Sequence, residues 1–168
     1  MYRNVTKVFF VLLGFSLLLA LPQGAAAFDK ATVQMQGVGT FPIVAFSQGV
    51  SNSSLAAATG GGAGKVNFQP AFFAKEMDLN TPTLFAYAAT GKHISEVTIE
   101  FFRYQEDLPV LQKYFTIKLS EVIVTSVRFD EEKGKPGGES ISLDFSIIRW
   151  ILPDGTEQGW NVKQNKAL

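Results

Sequence analysis

Cysteine is absent from the 168 residues, and histidine occurs once, at His93. Without a thiol there is no disulfide, no thiolate ligand and no cysteine nucleophile. With a single imidazole, a multi-histidine metal cluster or a two-histidine relay is excluded within one chain. A surplus of charge of one sign is lacking too, since 15 basic residues balance 15 acidic ones. A nucleic-acid partner requires a basic excess to displace counterions from phosphates, so none is expected. Nor is there a membrane-spanning run. The longest apolar stretch, residues 8–21 (VFFVLLGFSLLLAL), has 14 residues, short of the ~20 that a spanning helix needs.

That stretch belongs to a leader. Residues 1–7 carry Arg3, Lys7 and the free amine with no acid, and Pro22 and Gly24 end the apolar run. Ala25-Ala26-Ala27 then supplies the small residues that a signal peptidase accepts before Phe28. Residues 1–27 therefore read as a signal peptide cut after Ala27, which predicts a secreted or periplasmic product with no membrane attachment after cleavage. An uncleaved N-terminal anchor is the alternative. Residues 28–168 remain as one domain, long enough to bury roughly two-thirds of its unfolded surface. Arg3 and Lys7 leave with the leader, so 13 basic residues then face 15 acidic ones, a net charge of −2. An exported domain without disulfides must be held by its hydrophobic core or by assembly.

Most of residues 28–168 alternates like strand. Residues 95–103 (SEVTIEFFR) put Val97, Ile99 and Phe101 on one face and Glu96, Thr98 and Glu100 on the other. Residues 114–119 place Phe115, Ile117 and Leu119 inward, and the β-branched run 121–129 continues with Val122, Ile123, Val124 and Val127. Between these two, Ser120-Glu121 marks a bulge or bend where the inward phase resets. Residues 140–151 put Ile141, Leu143, Phe145 and Ile147 on one face, and the phase slips at Ile147-Ile148. Residues 31–36 and 40–50 read as a pair joined near Gly37–Gly39. Residues 65–77 read as another strand, with Pro70 at an edge or bulge because it has no N–H to donate. The last strand, 159–164, follows a turn around Pro153-Asp154-Gly155.

One helix interrupts the strands. In residues 80–91 (NTPTLFAYAATG), Asn80 or Thr81 suits the cap, Pro82 the first turn and Gly91 the left-handed terminus. Leu84, Phe85 and Ala88 are expected to face the sheet. About eight strands and one short helix predict a compact β-barrel or sandwich. Two segments cannot build a core. Residues 51–64 (SNSSLAAATGGGAG) are a long small-residue excursion with Leu55 as the only bulky side chain, and such loops are functional or disordered. Residues 131–139 (EEKGKPGGE) read as a solvated hairpin tip.

The chemistry-bearing residues do not assemble into an active site. His93, in GKHISE, reads as a surface or capping histidine rather than a catalytic base. Gly60-Gly61-Gly62-Ala63-Gly64-Lys65 invites comparison with a phosphate-cradling loop, but Val66 stands where that loop needs Ser or Thr, and a strand follows where it needs a helix. Acid pairs such as Glu106-Asp107 and the run Asp130-Glu131-Glu132 fall in polar loops and read as solvated. No catalytic residue, cofactor or metal is expected.

Seven stretches in order carry a resemblance: AFSQGVS (45–51), GKVN (64–67), KEMDLNTPTLF (75–85), TGKHISEVTIEFFR (90–103), YFTIKLSEVIVTSV (114–127), ESISLDFSIIRW (139–150) and GWNVKQNK (159–166). Together they resemble the haemolysin-coregulated protein (Hcp) family, the tube subunits of bacterial type VI secretion. The resemblance implies a mainly β fold: a barrel of two packed antiparallel sheets, one short flanking helix and a long protruding loop. It also implies a non-enzymatic subunit that forms homo-hexameric rings, stacks them into a tube and carries secreted effectors with other secretion-system components. The loop would contact neighbouring subunits, with Ser51, Asn52, Ser53, Leu55, Gly60, Gly64 and Lys65 as candidate contact residues. Three departures fall at loops and edges: a short first connection at residues 36–40, a short last hairpin at 152–158, and Gln48 where the family often has an aromatic or histidine. The leader is a fourth, because family members reach the tube from the cytoplasm without a cleaved signal. The rival reading is therefore an exported monomeric β-barrel that binds a ligand or partner. A hydrolytic domain fused to the barrel is the third, and the chain leaves no room for it beyond its last strand.

Overall fold

Twelve strands and one helix appear in the computed structural model, which describes residues 28–52, 66–105, 108–131 and 137–168. The first two strands, β1 (Lys30–Met35) and β2 (Gly39–Ile43), form the expected antiparallel hairpin. Its turn needs glycine. Gly37 has φ 79°, and a Cβ there would lie 2.8 Å from the Tyr87 hydroxyl, which donates a 3.0 Å hydrogen bond to the Gly37 carbonyl. Gly37→Ala is expected to cost about 1–3 kcal/mol, from backbone strain and loss of that bond. Urea unfolding of residues 28–168 measures it.

The run expected over residues 40–50 divides. Val44 leaves the β1 ladder and its N–H donates to the Ala74 carbonyl at 2.8 Å, after which β3 (Ala45–Ser47) pairs with β6 (Ala71–Glu76). This switch of partner ends the regular alternation. Residues 65–77 divide as well, into β5 (Val66–Phe68) and β6, with Gln69 and Pro70 in the break. The donor that proline lacks is therefore not missed by any ladder.

The central pair is β7 (His93–Gln105) and β8 (Leu108–Asp130), the latter 23 residues long. Ile117 and Leu119 point inward, then Val122 and Val124, so the phase resets across Ser120-Glu121 as expected. Glu121 takes φ 55°, in the left-handed region. Opposite it, β7 slips by the same amount between Ile94 and Val97, both buried. Both strands thus turn their surface at one level, and the ladder bends there without changing register. A second irregularity, between Val124 and Ser126, is taken up against β9 (Gly138–Asp144). The expected strand over 140–151 breaks at Phe145-Ser146, just before the phase slip expected at Ile147-Ile148, and past the break Ile148 is buried in place of the expected Ile147. β9 pairs with the second half of β8, and β10 (Ile147–Ile151) pairs with the first half.

Strand order closes the barrel. One wall runs β12 (Lys166–Ala167), β11 (Glu157–Asn161), β10, β8, β7, β1, β2, and the other runs from β8 through β9 and β6 to β3. These walls form one ten-stranded antiparallel sheet, and β4 (Val50–Asn52) with β5 makes a second, two-stranded one. The mainly β fold with two sheets and one short helix is as expected. Between the walls lie Val33, Phe41, Phe73, Val97, Ile99, Leu119, Ile141, Leu143 and Ile148, all buried. The last hairpin turns as its sequence indicates: the Asp154 carboxylate accepts from the Thr156 N–H at 2.9 Å, and Gly155 has φ 85°.

The helix α1 (Thr81–Thr90) ends at left-handed Gly91, φ 63°, as expected. Asn80 occupies the N-cap but makes no side-chain cap bond. Its buried residues are Leu84 and Tyr87, whereas Phe85, placed inward from the sequence, is 40% exposed. Tyr87 takes the inward position because its ring covers the barrel while its hydroxyl reaches the Gly37 carbonyl, satisfying an aromatic side chain at both ends.

Candidate interaction surfaces

Of the expected contact loop, Ser51 and Asn52 lie exposed in β4, opposite Asn67 and Val66 of β5. Ser53, Leu55, Gly60, Gly64 and Lys65 lie outside the described residues. What the structure places is the root of that loop, a two-stranded ribbon leaving the barrel. Gln69 N–H donates to the Gly49 carbonyl at 2.8 Å, and Phe68 anchors the ribbon's inner end. Its ring lies 6.3 Å from Phe145, 6.3 Å from Trp150 and 6.4 Å from Trp160. The sequence puts Phe145 on an inward face but gives no sign that these four aromatics meet. They come from four separate strands or junctions, and only the crossing from β9 to β10 brings them together.

A second surface is the outward face of the seven-strand wall. In one row, Thr40, Gln34, Thr98, Lys118, Arg149 and Gly159 sit side by side through the ladders. Three ion pairs lie on this face: Lys113–Glu100 at 2.8 Å, Lys118–Glu96 at 3.9 Å and Arg149–Glu157 at 3.0 Å. Three cations and three carboxylates cancel, and exposed pairs of this kind contribute little to stability. The face is polar, interrupted by half-buried Ile147 and Ile151 of β10. An open depression of ≈ 750 Å³ crosses its β1–β2 end, lined by Gln34, Gln36, Thr40, Ser95, Glu96 and Thr98 among others.

Buried charge marks the junction of β6, α1 and β9. Lys75 and Glu139 have fully buried side chains, and Nζ lies 2.6 Å from Oε1. Lys75 also meets the Asp78 carboxylate at 2.9 Å, donates to the Glu76 carbonyl at 2.8 Å, and sits 5.2 Å over the Phe41 ring. Thr81 Oγ1 donates to Glu139 at 3.1 Å while accepting the Asp78 N–H at 3.0 Å. Burial raises the Asp78 pKa, but the Lys75 ammonium and the Asn80 N–H outweigh it and hold the carboxyl below its ordinary value. Each donor and acceptor here is a structural strap between the helix start and the barrel wall.

His93 is exposed, with Nδ1 3.8 Å from Glu121 Oε2. Among the described residues, no group of three His, Cys, Asp or Glu is placed to hold a metal ion, and no helix is long and apolar enough to cross a membrane. Large apolar side chains stand exposed instead, with Leu79 98% accessible in the turn before α1, and Met77 and Phe129 flanking Gly137.

Residues 30–151 match the family described as type VI secretion system effector, Hcp. Protein hcp1 of Pseudomonas aeruginosa strain PAO1 is 33% identical over 116 residues, covering 60% of this chain and 68% of that protein. Among solved structures, a type six secretion system protein superposes with TM-score 0.73 at 19% identity, covering 84% of this chain and all of the other. Hcp1 from Salmonella typhimurium superposes with TM-score 0.68 at 19% identity, over 83% of this chain and 98% of that one.

Proposed function

Because the chain belongs to the Hcp family of type VI secretion, we propose that it is a non-enzymatic, ring-forming subunit whose rings are hexamers and stack into a tube that accompanies secreted effectors. The observation that carries this reading is the seven-strand wall. Its outward face is broad, polar and charge-paired, the kind of surface that can line a water-filled bore without gripping what passes through. The Phe68 anchor supports the second half of the reading, because it holds the β4–β5 ribbon at the root of the loop that would reach a neighbouring subunit. Exposed Leu79, Met77 and Phe129 supply apolar area for ring contacts.

Residues 1–27 act as a cleaved export signal and residues 28–168 as the mature domain, secreted or periplasmic. A ring subunit needs no catalytic group and no cofactor. The rival, an exported monomeric binding module, draws on a groove of ≈ 480 Å³ lined by Phe28, Phe46, Phe101, Tyr114, Phe115 and Trp150. Size-exclusion chromatography with light scattering on residues 28–168 separates the two. The expected species has the mass of six subunits, and a strictly monomeric species at high concentration would sink the ring.

A further inference from the structure

Copies of one chain join head to tail when a projection on one part of the surface fits a recess on another. This barrel carries both, at opposite ends of the same strands. β1 runs from Lys30, opposite Phe102, to Met35, opposite Val97. At the Met35 end lies the start of α1, where a Cβ on Gly39 would come within 2.8 Å of Asn80 Oδ1. The Tyr87 hydroxyl reaches the Gly37 carbonyl at that end too. At the Lys30 end opens the groove of ≈ 480 Å³, whose lining includes Phe28, Phe46, Ser47, Phe101, Tyr114 and Phe115.

Leu79 is the projection, 98% exposed in the turn between β6 and α1. Residues on both sides of it are pinned. The Asp78 carboxylate accepts the Asn80 N–H at 2.7 Å and meets the buried Lys75 ammonium at 2.9 Å. Thr81 Oγ1 accepts the Asp78 N–H at 3.0 Å. A lone leucine on a surface is ordinary, but this one has apolar company in half-exposed Met77 and Phe129, which meet over Gly137. A side chain held out by a fixed backbone loses little freedom on docking, so more of its burial appears as affinity. The recess suits it: the rings of Phe46 and Tyr114 stand 5.3 and 6.4 Å from Phe101, walling an apolar hollow that an aliphatic side chain would fill. Charge has a matching polarity. Glu76, Asp78 and Asp130 are exposed on the strands and turn that lead to Leu79. Lys30 and Arg103 are exposed at the groove end, with the Arg103 guanidinium 4.5 Å over the Tyr114 ring. Arg128 and Asp29 run against this trend, but the Asp29 carboxylate is already taken by the Tyr104 N–H.

We propose that Leu79 of one copy seats in the aromatic groove of the next, and that this end-to-end contact stacks one ring on another. The inference rests on the ring-forming reading and adds which end of a subunit meets which. Each docked copy still offers a groove or a leucine at its far end, so the contact propagates instead of closing.

The lack of cysteine makes the contact easy to trap. The full 168-residue chain is expressed with Leu79→Cys or with Ser47→Cys, purified as the cell delivers it, and the two proteins are mixed and oxidised. Their disulfide is expected to form about tenfold faster than one between Leu79→Cys and a Glu157→Cys control on the polar wall, because docking concentrates the partner thiol. Light scattering gives a second readout. Leu79→Asp is expected to weaken stacking about tenfold or more while leaving the ring mass and the urea midpoint unchanged, and Leu79→Met to retain stacking. Rings that stack equally well with Leu79→Asp, or cross-linking no faster than the control, assign the groove to another occupant. Either result overturns the proposal and leaves the ring reading standing. A chain that stays monomeric and cross-links only at the control rate overturns both.

Discussion

Lys75→Met is expected to lower the stability of residues 28–168 by about 3–5 kcal/mol, because it strands Glu139 as an unpaired charge in the barrel wall. Glu139 Oε1 accepts from Lys75 and Thr81, while Oε2 is buried without a partner. Removing the ammonium leaves the carboxylate a single hydroxyl donor. The Lys75→Met/Glu139→Leu double substitution should recover much of the loss, since an apolar pair of similar volume avoids both desolvation costs. Urea midpoints of the three proteins form a double-substitution cycle, and additive losses would show that the two groups do not depend on each other. The Asp78 contact adds a pH signature. Its carboxyl is held below the unfolded value, so its share of stability is complete above the ordinary aspartate range and is lost as pH falls through the lowered one. Lys75→Met should weaken that acid-side slope, leaving only the part that the Asn80 N–H contributes.

Phe73→Ala is expected to cost a similar amount, about 3–5 kcal/mol, through lost burial and the cavity left behind. Phe73 is fully buried on β6, its ring 5.8 Å from Phe41 on β2. These two strands meet only where the chain switches at Val44, so the ring pair fastens the seam that closes the barrel. The cavity cannot collapse easily, because β6 is held on both sides, by β3 and by β9. Thermal unfolding followed by circular dichroism would reveal the drop, and a loss under ~1 kcal/mol would mean that the seam repacks around the gap.

Much of the barrel was legible because period-two patterning is a local signal. Val97, Ile99 and Phe101 on β7, and Ile141 and Leu143 on β9, face the core as their spacing requires. The reset at Ser120-Glu121 was legible for the same reason. Breaks at Val44 and Phe145-Ser146 were harder to read, because each is the point where a strand exchanges one neighbour for another, and the neighbour is distant in sequence. Phe85 was misplaced by helical spacing alone; Tyr87 won the inward position through a bond to Gly37, 50 residues away. The interaction surfaces divide likewise. A small-residue excursion announces itself by composition, whereas the Phe68, Phe145, Trp150 and Trp160 cluster exists only once the strands cross. Glu139 reads in sequence as the end of a solvated hairpin tip, and only the β6–β9 ladder, which sets it opposite Lys75, makes the two a buried pair.

The 23-residue β8 serves both walls, giving hydrogen bonds to β7 and β10 along its first half and to β9 along its second. Mechanically it is a shared beam. Load applied to the polar wall passes along one unbroken backbone into the opposite wall, so neither wall can peel away alone. A subunit built this way resists bending as a single body and gives way only when the whole barrel does, as one cooperative unit.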